Sequence, residues 1–221
     1  MACPGVSASP LKPELLASNY LTAKERIIKA GFSSEIDWQE NISLGDLDEP
    51  TFLRESAWVI LSAGFQETVL RHRFAQVSAA FLDWESAVMI TAQREICRIN
   101  ALAAFGNYRK IDAILKVAER VATAGIDTIR GQIISRGTSF LEELPFIGPV
   151  TACHLAKNLG IQMVKPDRHL TRMAAKTGYE SADLMCRAIS QLIGDSLSVI
   201  DLVLWRYATI TDAEKDECSF L

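Results

Sequence analysis

Two neighbouring stretches decide the fold: Leu141-Glu-Glu-Leu-Pro-Phe-Ile-Gly-Pro-Val-Thr-Ala-Cys-His-Leu-Ala-Lys-Asn-Leu-Gly160 and, shortly after it, Lys165-Pro-Asp-Arg-His-Leu170. In the first stretch, Pro145 and Gly148 mark a tight turn, because glycine tolerates the positive φ that a sharp reversal needs. The sequence therefore predicts two short helices joined by a hairpin. The second stretch predicts a loop that presents one carboxylate, Asp167, at the start of a further helix.

The two helices of this hairpin carry terminal signals. Ser139, followed three residues later by Glu142, predicts a capping box at the start of the first helix. Pro149 stands where the second helix would have its first residue, a position that needs no backbone donor. Gly160 predicts the C-terminal cap of that helix. A helix that begins directly after a glycine turn presents free N–H groups, which suit a phosphate.

Outside the hairpin, apolar residues recur at helical spacing and no sustained alternation of period two occurs, which predicts an all-α protein. The connection at residues 32–49 is polar and is predicted to be irregular. The predicted helices cover residues 13–30, a segment from residue 50 to about 61, residues 65–82, two short helices within 85–105, and residues 108–123, 168–176, 182–193 and 197–208. Residues 126–135 precede the hairpin and are not assigned.

The charge distribution is uneven along the chain. Of the 221 residues, 49% are hydrophobic, which indicates a globular protein, and the net charge of −4 argues against indiscriminate coating of nucleic acid. Between residues 144 and 178, however, the only acidic residue is Asp167, and the basic residues are Lys157, Lys165, Arg168, Arg172 and Lys176. This asymmetry suits either a solvated helix face or a surface that binds a phosphate backbone.

The five cysteines show no C-x-x-C spacing, so the sequence predicts neither a zinc site nor a disulfide framework. Isolated cysteines suit a reducing cytosol. The N-terminus lacks the features of a signal peptide, and no apolar run is long enough to span a membrane. We therefore expect a cytoplasmic protein with no membrane partner.

The hairpin Leu144-Pro-Phe-Ile-Gly-Pro-Val-Thr-Ala152, together with the aspartate of the second stretch, resembles the helix-hairpin-helix DNA glycosylases. This superfamily includes endonuclease III, adenine glycosylase and the alkylation-repair glycosylases. Weaker similarity extends over residues 56–178, and the chain has Phe146 where the family's hairpin usually has glycine. The resemblance implies two helical domains with a cleft between them and the aspartate at its mouth. A six-helix barrel-like domain would cover residues 50–160 and end in the hairpin, and residues 12–49 plus 161–221 would form the second domain.

The activity that this resemblance implies is that of a monofunctional DNA glycosylase, a monomer that acts on double-stranded DNA. Such an enzyme flips out a damaged or modified base, including modified bases of foreign DNA, and leaves an abasic site. Asp167 is the implied catalytic residue, since a carboxylate stabilises the positive charge that builds on the sugar as the base departs. In the alternative, Asp167 merely caps a helix and the chain is a non-catalytic DNA-binding protein.

The resemblance also assigns the other site residues. The implied DNA contacts are Leu144, Phe146, Gly148, Pro149, Val150, Thr151, Lys165, Arg168 and His169. The implied base pocket consists of Trp38, Gln39, Phe65, Gln66 and Glu67, because the corresponding loop and helix end border the cleft in relatives. Bifunctional relatives carry a nucleophilic lysine where this chain has Val150, which implies an enzyme without lyase activity.

No cofactor is expected to be required. Only Cys186 and Cys218 lie near the C-terminus, where many relatives bind an iron–sulfur cluster through four cysteines, so no cluster is expected. No group of carboxylates accompanies Asp167, which argues against a nuclease that needs divalent metal, and we predict no metal ligand. Hairpins of the family often bind a monovalent cation through carbonyl groups, and such a cation is compatible with this hairpin.

Overall fold

The computed structural model describes residues 10–213, and in this part of the chain every regular element is helical. The prediction of an all-α protein is confirmed. Two short 3-10 helices cover Leu44–Asp46 and Leu82–Trp84. The α-helices, in chain order, are α1 (Pro13–Lys29), α2 (Ser33–Asn41), α3 (Glu49–Ser62), α4 (Glu67–Ala80), α5 (Ala87–Ala92), α6 (Arg94–Ala104), α7 (Tyr108–Ala124), α8 (Ile126–Arg136), α9 (Thr138–Leu141), α10 (Pro149–Asn158), α11 (Arg168–Lys176), α12 (Ala182–Ile193) and α13 (Leu197–Ala213).

The chain divides into two compact units. The inserted unit is the continuous segment Ser43–Ile161, and the terminal unit combines residues up to Ile42 with those from Gln162 onward. The inserted unit is described completely and contains eight α-helices, α3 to α10, where the resemblance implies six. It begins before residue 50 because the guanidinium of Arg130 on α8 donates to the Leu47 carbonyl at 2.7 Å.

The core of the inserted unit surrounds α3, which packs against α7 and α10. Apolar side chains of α3 such as Phe52, Ile60 and Leu61 are completely buried. The residues of α7 that helical spacing assigns to the interior, among them Ile111 and Leu115, are also buried. The apolar periodicity of both helices is therefore a correct guide to the core of this unit.

The terminal unit is built from α1, α2 and α11 to α13, and α1 packs against both α12 and α13. The prediction that residues 32–49 are irregular is wrong for α2. This helix packs against α13, and its Glu35 carboxylate accepts a hydrogen bond from Arg206 of α13 at 2.7 Å. Contacts between distant parts of the chain, and not a local apolar repeat, account for this helix.

Gly160 closes the inserted unit. It takes a φ of 89°, and the N–H groups of Gly160 and Ile161 donate to the carbonyls of Lys157 and Ala156, the Schellman arrangement at a helix end. The predicted C-terminal glycine cap is confirmed. A Cβ atom at Gly160 would lie 2.6 Å from the backbone nitrogen of Leu44, so this position requires glycine for space as well as for its φ.

Within residues 10–213, no single helix is both long and apolar enough to cross a membrane. Helices α12 and α13 reach that length and apolarity only as a pair, across a bend of 112°.

Candidate functional site

The turn between α9 and α10 places an aromatic residue in the left-handed region. The Leu144 carbonyl accepts a hydrogen bond from the Ile147 N–H at 3.1 Å, with Pro145 and Phe146 between them. Phe146 has a φ of 65°, whereas Gly148 has a φ of −97°. The prediction that Gly148 supplies the positive φ is therefore wrong, and Phe146 takes that conformation instead.

The predicted capping box at Ser139 is also wrong. Helix α9 begins at Thr138, directly after Gly137, which has a φ of 57°. Ser139 therefore lies inside the helix, and its hydroxyl donates to the Arg136 carbonyl at 2.8 Å. Glu142 lies just beyond the end of this four-residue helix, too late to cap its start.

The N-terminus of α10 has the geometry of an anion seat. The Thr151 hydroxyl oxygen accepts the Gly148 N–H at 2.7 Å and its hydrogen points to the Gly148 carbonyl at 2.9 Å. The backbone N–H groups of Val150 and Thr151 lie in the first turn, where the helix offers them no carbonyl acceptor. Phe146, Gly148, Pro149 and Val150 are exposed. Backbone donors at an exposed helix N-terminus favour an anion.

A buried carboxylate anchors the far end of α10. Glu55 of α3 accepts a hydrogen bond from the Asn158 side-chain amide at 2.9 Å. Burial raises the pKa of the Glu55 carboxyl, although Arg54 beside it opposes the effect. This contact fixes α10, and with it the hairpin turn, against the central helix of the inserted unit.

Three residues that the sequence analysis names, either as basic residues near the hairpin or as DNA contacts, are largely buried. The side chain of Leu144 is only 2% exposed, that of Lys157 is 6% exposed and that of His169 is 9% exposed. Leu144 therefore belongs to the core of the inserted unit, and the DNA contact predicted for it stays a prediction. Lys157 adds no exposed charge to the hairpin. His169 lies on the inner face of α11, where its Nε2 accepts a hydrogen bond from Arg168 Nε at 3.2 Å.

Asp167 is the N-cap residue of α11. Its Oδ1 atom accepts hydrogen bonds from the backbone N–H groups of His169 at 2.9 Å and of Leu170 at 3.0 Å. Within the described residues, no donor contacts Oδ2. The half-buried carboxylate is thus held by hydrogen bonds to one of its two oxygens.

The loop before Asp167 is tied to the interior of the terminal unit. Asp201 of α13 is 1% exposed, and its Oδ1 accepts the Lys165 N–H at 2.7 Å. The Lys165 carbonyl in turn accepts the Asp167 N–H at 2.8 Å. The sequence predictions missed Asp201, although a lone carboxylate within the apolar run Val199–Leu204 is a usable signal, since a buried charge requires fixed partners.

The five predicted pocket residues belong to different units. Trp38 and Gln39 lie on α2 of the terminal unit, where Trp38 is exposed and Gln39 is buried. The place of Gln39 in a base pocket stays a prediction. Phe65, Gln66 and Glu67 belong to the inserted unit, and Glu67 forms an ion pair with Arg71.

A buried lysine supports the loop that carries Phe65. The ammonium group of Lys110 donates to the carbonyls of Leu61 at 2.8 Å and Ala63 at 2.6 Å, which are the last carbonyls of α3. It lies 4.6 Å from the centroid of the Phe65 ring, whose other neighbour is Phe105 at 5.0 Å. Burial lowers the pKa of Lys110 to about 8. The exposed Phe65 ring is therefore held in place on two sides.

Among the described residues, no group of three or more His, Cys, Asp or Glu side chains is arranged to hold a metal ion. Cys97, Cys153 and Cys186 form no disulfide bond, whereas Cys3 and Cys218 lie outside the described residues. Comparison with protein-family models, curated proteins and solved structures finds no match to this chain.

Proposed function

We propose that the protein is a monofunctional DNA glycosylase of the helix-hairpin-helix type, which removes a damaged or modified base and leaves an abasic site. The observation that carries the proposal is the state of Asp167. Its Oδ1 is fixed by two backbone N–H groups, and its Oδ2 has no donor among the described residues. A preorganised carboxylate with one unengaged oxygen suits a reaction in which positive charge develops on a ligand.

The charge on Asp167 supplies the catalytic effect in this proposal. As the base leaves, the sugar gains oxocarbenium character. At about 4 Å and an effective dielectric constant near 20, a carboxylate attracts this charge by roughly 4 kcal/mol. If the attraction is realised only in the transition state, it corresponds to a rate gain of about a thousandfold. Oδ2 can also accept a proton from the attacking water.

Phosphate binding in this proposal uses the start of α10. The first-turn N–H groups of Val150 and Thr151 follow the exposed residues Phe146 and Gly148 directly along the chain. Such contacts position double-stranded DNA without reading its sequence. A base that is to be removed must leave the duplex stack; we propose Phe65, Gln66 and Glu67 of the inserted unit as residues that meet it, and Trp38 of the terminal unit stays a separate candidate.

The proposed reaction requires no cofactor. A monovalent cation at the hairpin remains a prediction. The Gly148 carbonyl already accepts two hydrogen bonds, from the Ala152 N–H and the Thr151 hydroxyl, and the Leu144 carbonyl accepts one from the Ile147 N–H. A cation would therefore use the second lone pair of the Leu144 carbonyl or the carbonyls between these two residues.

A second candidate function is a non-catalytic DNA-binding protein. The observation that favours it is the same pair of hydrogen bonds, because an aspartate that caps a helix needs no other role. Both candidates share the anion seat on α10, so DNA binding does not separate them.

The Asp167→Asn variant separates the two candidates. Asparagine caps helices about as well as aspartate, so α11 should persist and only the negative charge is lost. The wild type and the variant are incubated with duplexes that each carry one modified base, and the released base is measured by mass spectrometry. We expect base release from one substrate class and a loss of about a thousandfold in the variant. Asp183→Asn, on the exposed face of α12, serves as the matched control.

Equal base release by wild type and Asp167→Asn would remove Asp167 from the mechanism. Binding without release on every duplex of a broad panel would favour the non-catalytic protein.

A further inference from the structure

Among the described residues of the terminal unit, a row of three exposed cations without a carboxylate partner lies along α11. This helix is amphipathic, with His169, Leu170, Met173 and Ala174 buried in the unit. Its opposite face is exposed and contains Arg168, Thr171, Arg172, Ala175 and Lys176. The three cations follow each other at intervals of four residues, and so stand about 6 Å apart along the helix axis on one side.

These cations differ from most others in the chain. Several exposed arginines elsewhere bind carboxylates, as Arg71 does with Glu67 and Arg187 does with Asp183. Within the described residues, Arg172 and Lys176 contact no carboxylate. Arg168 is oriented by its hydrogen bond to the His169 ring. A row of unpaired cations on a protein with a net charge of −4 indicates a surface that meets an anionic partner.

The absence of large apolar side chains on this face distinguishes between two common anionic partners, a lipid surface and a nucleic-acid backbone. A helix that lies on a lipid surface needs an exposed apolar face beside its cations. On α11 the large apolar side chains, Leu170 and Met173, are buried, and the outer face carries only Thr171 and Ala175 between the cations. Charge without exposed apolar area suits a phosphodiester backbone.

We infer that the exposed face of α11 binds successive phosphates of one nucleic-acid strand, as a second ionic contact separate from the α10 anion seat. This inference rests on the proposed function and extends it. Because Asp167 caps the N-terminus of α11, the cations lie on one side of the carboxylate only. The phosphates they bind therefore flank the attacked nucleotide on a single side.

The test is the salt dependence of affinity for a duplex that carries one tetrahydrofuran abasic-site analogue. Each phosphate contact contributes about 0.9 to the slope of log affinity against log salt. The Arg172→Gln/Lys176→Gln variant should lower the magnitude of this slope by about 1.8. The ratio of wild-type to variant affinity should then shrink about twelvefold between 50 and 200 mM salt. Both residues are exposed and unpaired, so the fold should not depend on them.

The matched control is Lys29→Gln/Arg187→Gln, which removes two exposed cations from the same unit but takes them from ion pairs with Glu25 and Asp183. We expect its slope to equal that of the wild type. An equal fall of the salt slope in both double variants would show that the effect comes from net charge, and it would overturn the inference. The inference would equally be overturned if α11 cations were required for binding to phosphatidylserine vesicles and not for binding to DNA.

The two proposals fail in different ways. If Asp167→Asn abolishes base release while Arg172→Gln/Lys176→Gln keeps the wild-type salt slope, the α11 contact is wrong and the glycosylase stands. If the wild type releases no base but the salt dependence of DNA affinity falls in the double variant as expected, the α11 contact stands and the protein is a non-catalytic DNA-binding protein.

Discussion

Phe146 combines two features that seldom occur in one residue. Its φ of 65° lies in the left-handed region, and its ring is 46% exposed. Outside glycine, the left-handed conformation costs roughly 1–2 kcal/mol. Such strain at an exposed turn beside an anion seat fits a residue kept for contact with a ligand.

The strain at Phe146 can be measured with two substitutions. Phe146→Ala removes the ring but keeps the cost of the positive φ, whereas Phe146→Gly removes both. We expect the glycine variant to be more stable than the alanine variant by about 1 kcal/mol in urea unfolding. Equal stability, or a more stable alanine variant, would show that the turn does not hold this φ in solution.

Glu55 should make stability depend on pH. Because burial raises the pKa of its carboxyl in the folded state, the folded chain binds more protons than the unfolded chain just above the ordinary carboxyl pKa. The contribution of Glu55 to stability therefore falls as the pH rises through that window.

Glu55→Gln keeps an acceptor for Asn158 and removes the buried charge. We expect the variant to be at least as stable as the wild type at pH 7, with a stability advantage that shrinks as the pH falls toward 4.5. Denaturant unfolding across this range is the measurement, and Glu142→Gln at an exposed site is the control. A variant less stable at pH 7 than the wild type would indicate that the Arg54 ion pair outweighs burial.

At the scale of the element, the end of α3 depends on one side chain from α7. Lys110→Met keeps most of the apolar stem of the residue but leaves the Leu61 and Ala63 carbonyls without their donor. We expect a loss of about 2 kcal/mol in unfolding free energy and faster amide exchange in the loop that carries Phe65. Lys116→Met, on the exposed side of the same helix, should change neither. Unchanged exchange in Lys110→Met would mean that water already satisfies these carbonyls.

Some elements were predictable to the residue and others were not. The bounds of α11 and α12 match the prediction because local signals set them: Asp167 and Ser181 cap their starts. Helix α2 was missed because the contact between Glu35 and Arg206 joins residues far apart in sequence. The burial of Lys157 was missed for a related reason, since a charged residue type does not reveal which helix face the core covers.

In the candidate site, too, local sequence patterns predicted some features, while contacts between distant segments could not be predicted. The carboxylate at a helix start and the proline at the start of α10 are local patterns, and both are where the sequence places them. The positive φ of Phe146 opposes the steric preference of its residue type. The Asp201 and Lys110 contacts arise only when distant segments pack, so spacing along the chain does not encode them.

For the whole molecule, the nature of the product in the proposed glycosylase reaction depends on which lysines can reach the sugar. Val150 supplies no nucleophile, and Lys157 is buried in the inserted unit. The backbone of Lys165 is fixed by Asp201, and this residue is the remaining candidate for a Schiff base. We predict that the wild type leaves intact abasic sites, with strand breaks only after alkali treatment.

Borohydride trapping checks this prediction, with a bifunctional glycosylase as the positive control. We expect no covalent adduct between the wild-type protein and DNA. An adduct that disappears in Lys165→Ala would assign lyase activity to that lysine while keeping base excision.

The close approach of Gly160 to Leu44 has a topological meaning. The first and last segments of Ser43–Ile161 touch, so the two ends of this unit lie side by side. Adjacent ends are typical of a domain that is inserted into another domain. Residues 43–161 produced alone should therefore unfold cooperatively and give a dispersed amide NMR spectrum. This fragment contains the hairpin but not Asp167, so we expect it to bind duplex DNA and release no base. A fragment whose amide signals are poorly dispersed would show that the inserted unit needs the terminal unit in order to fold.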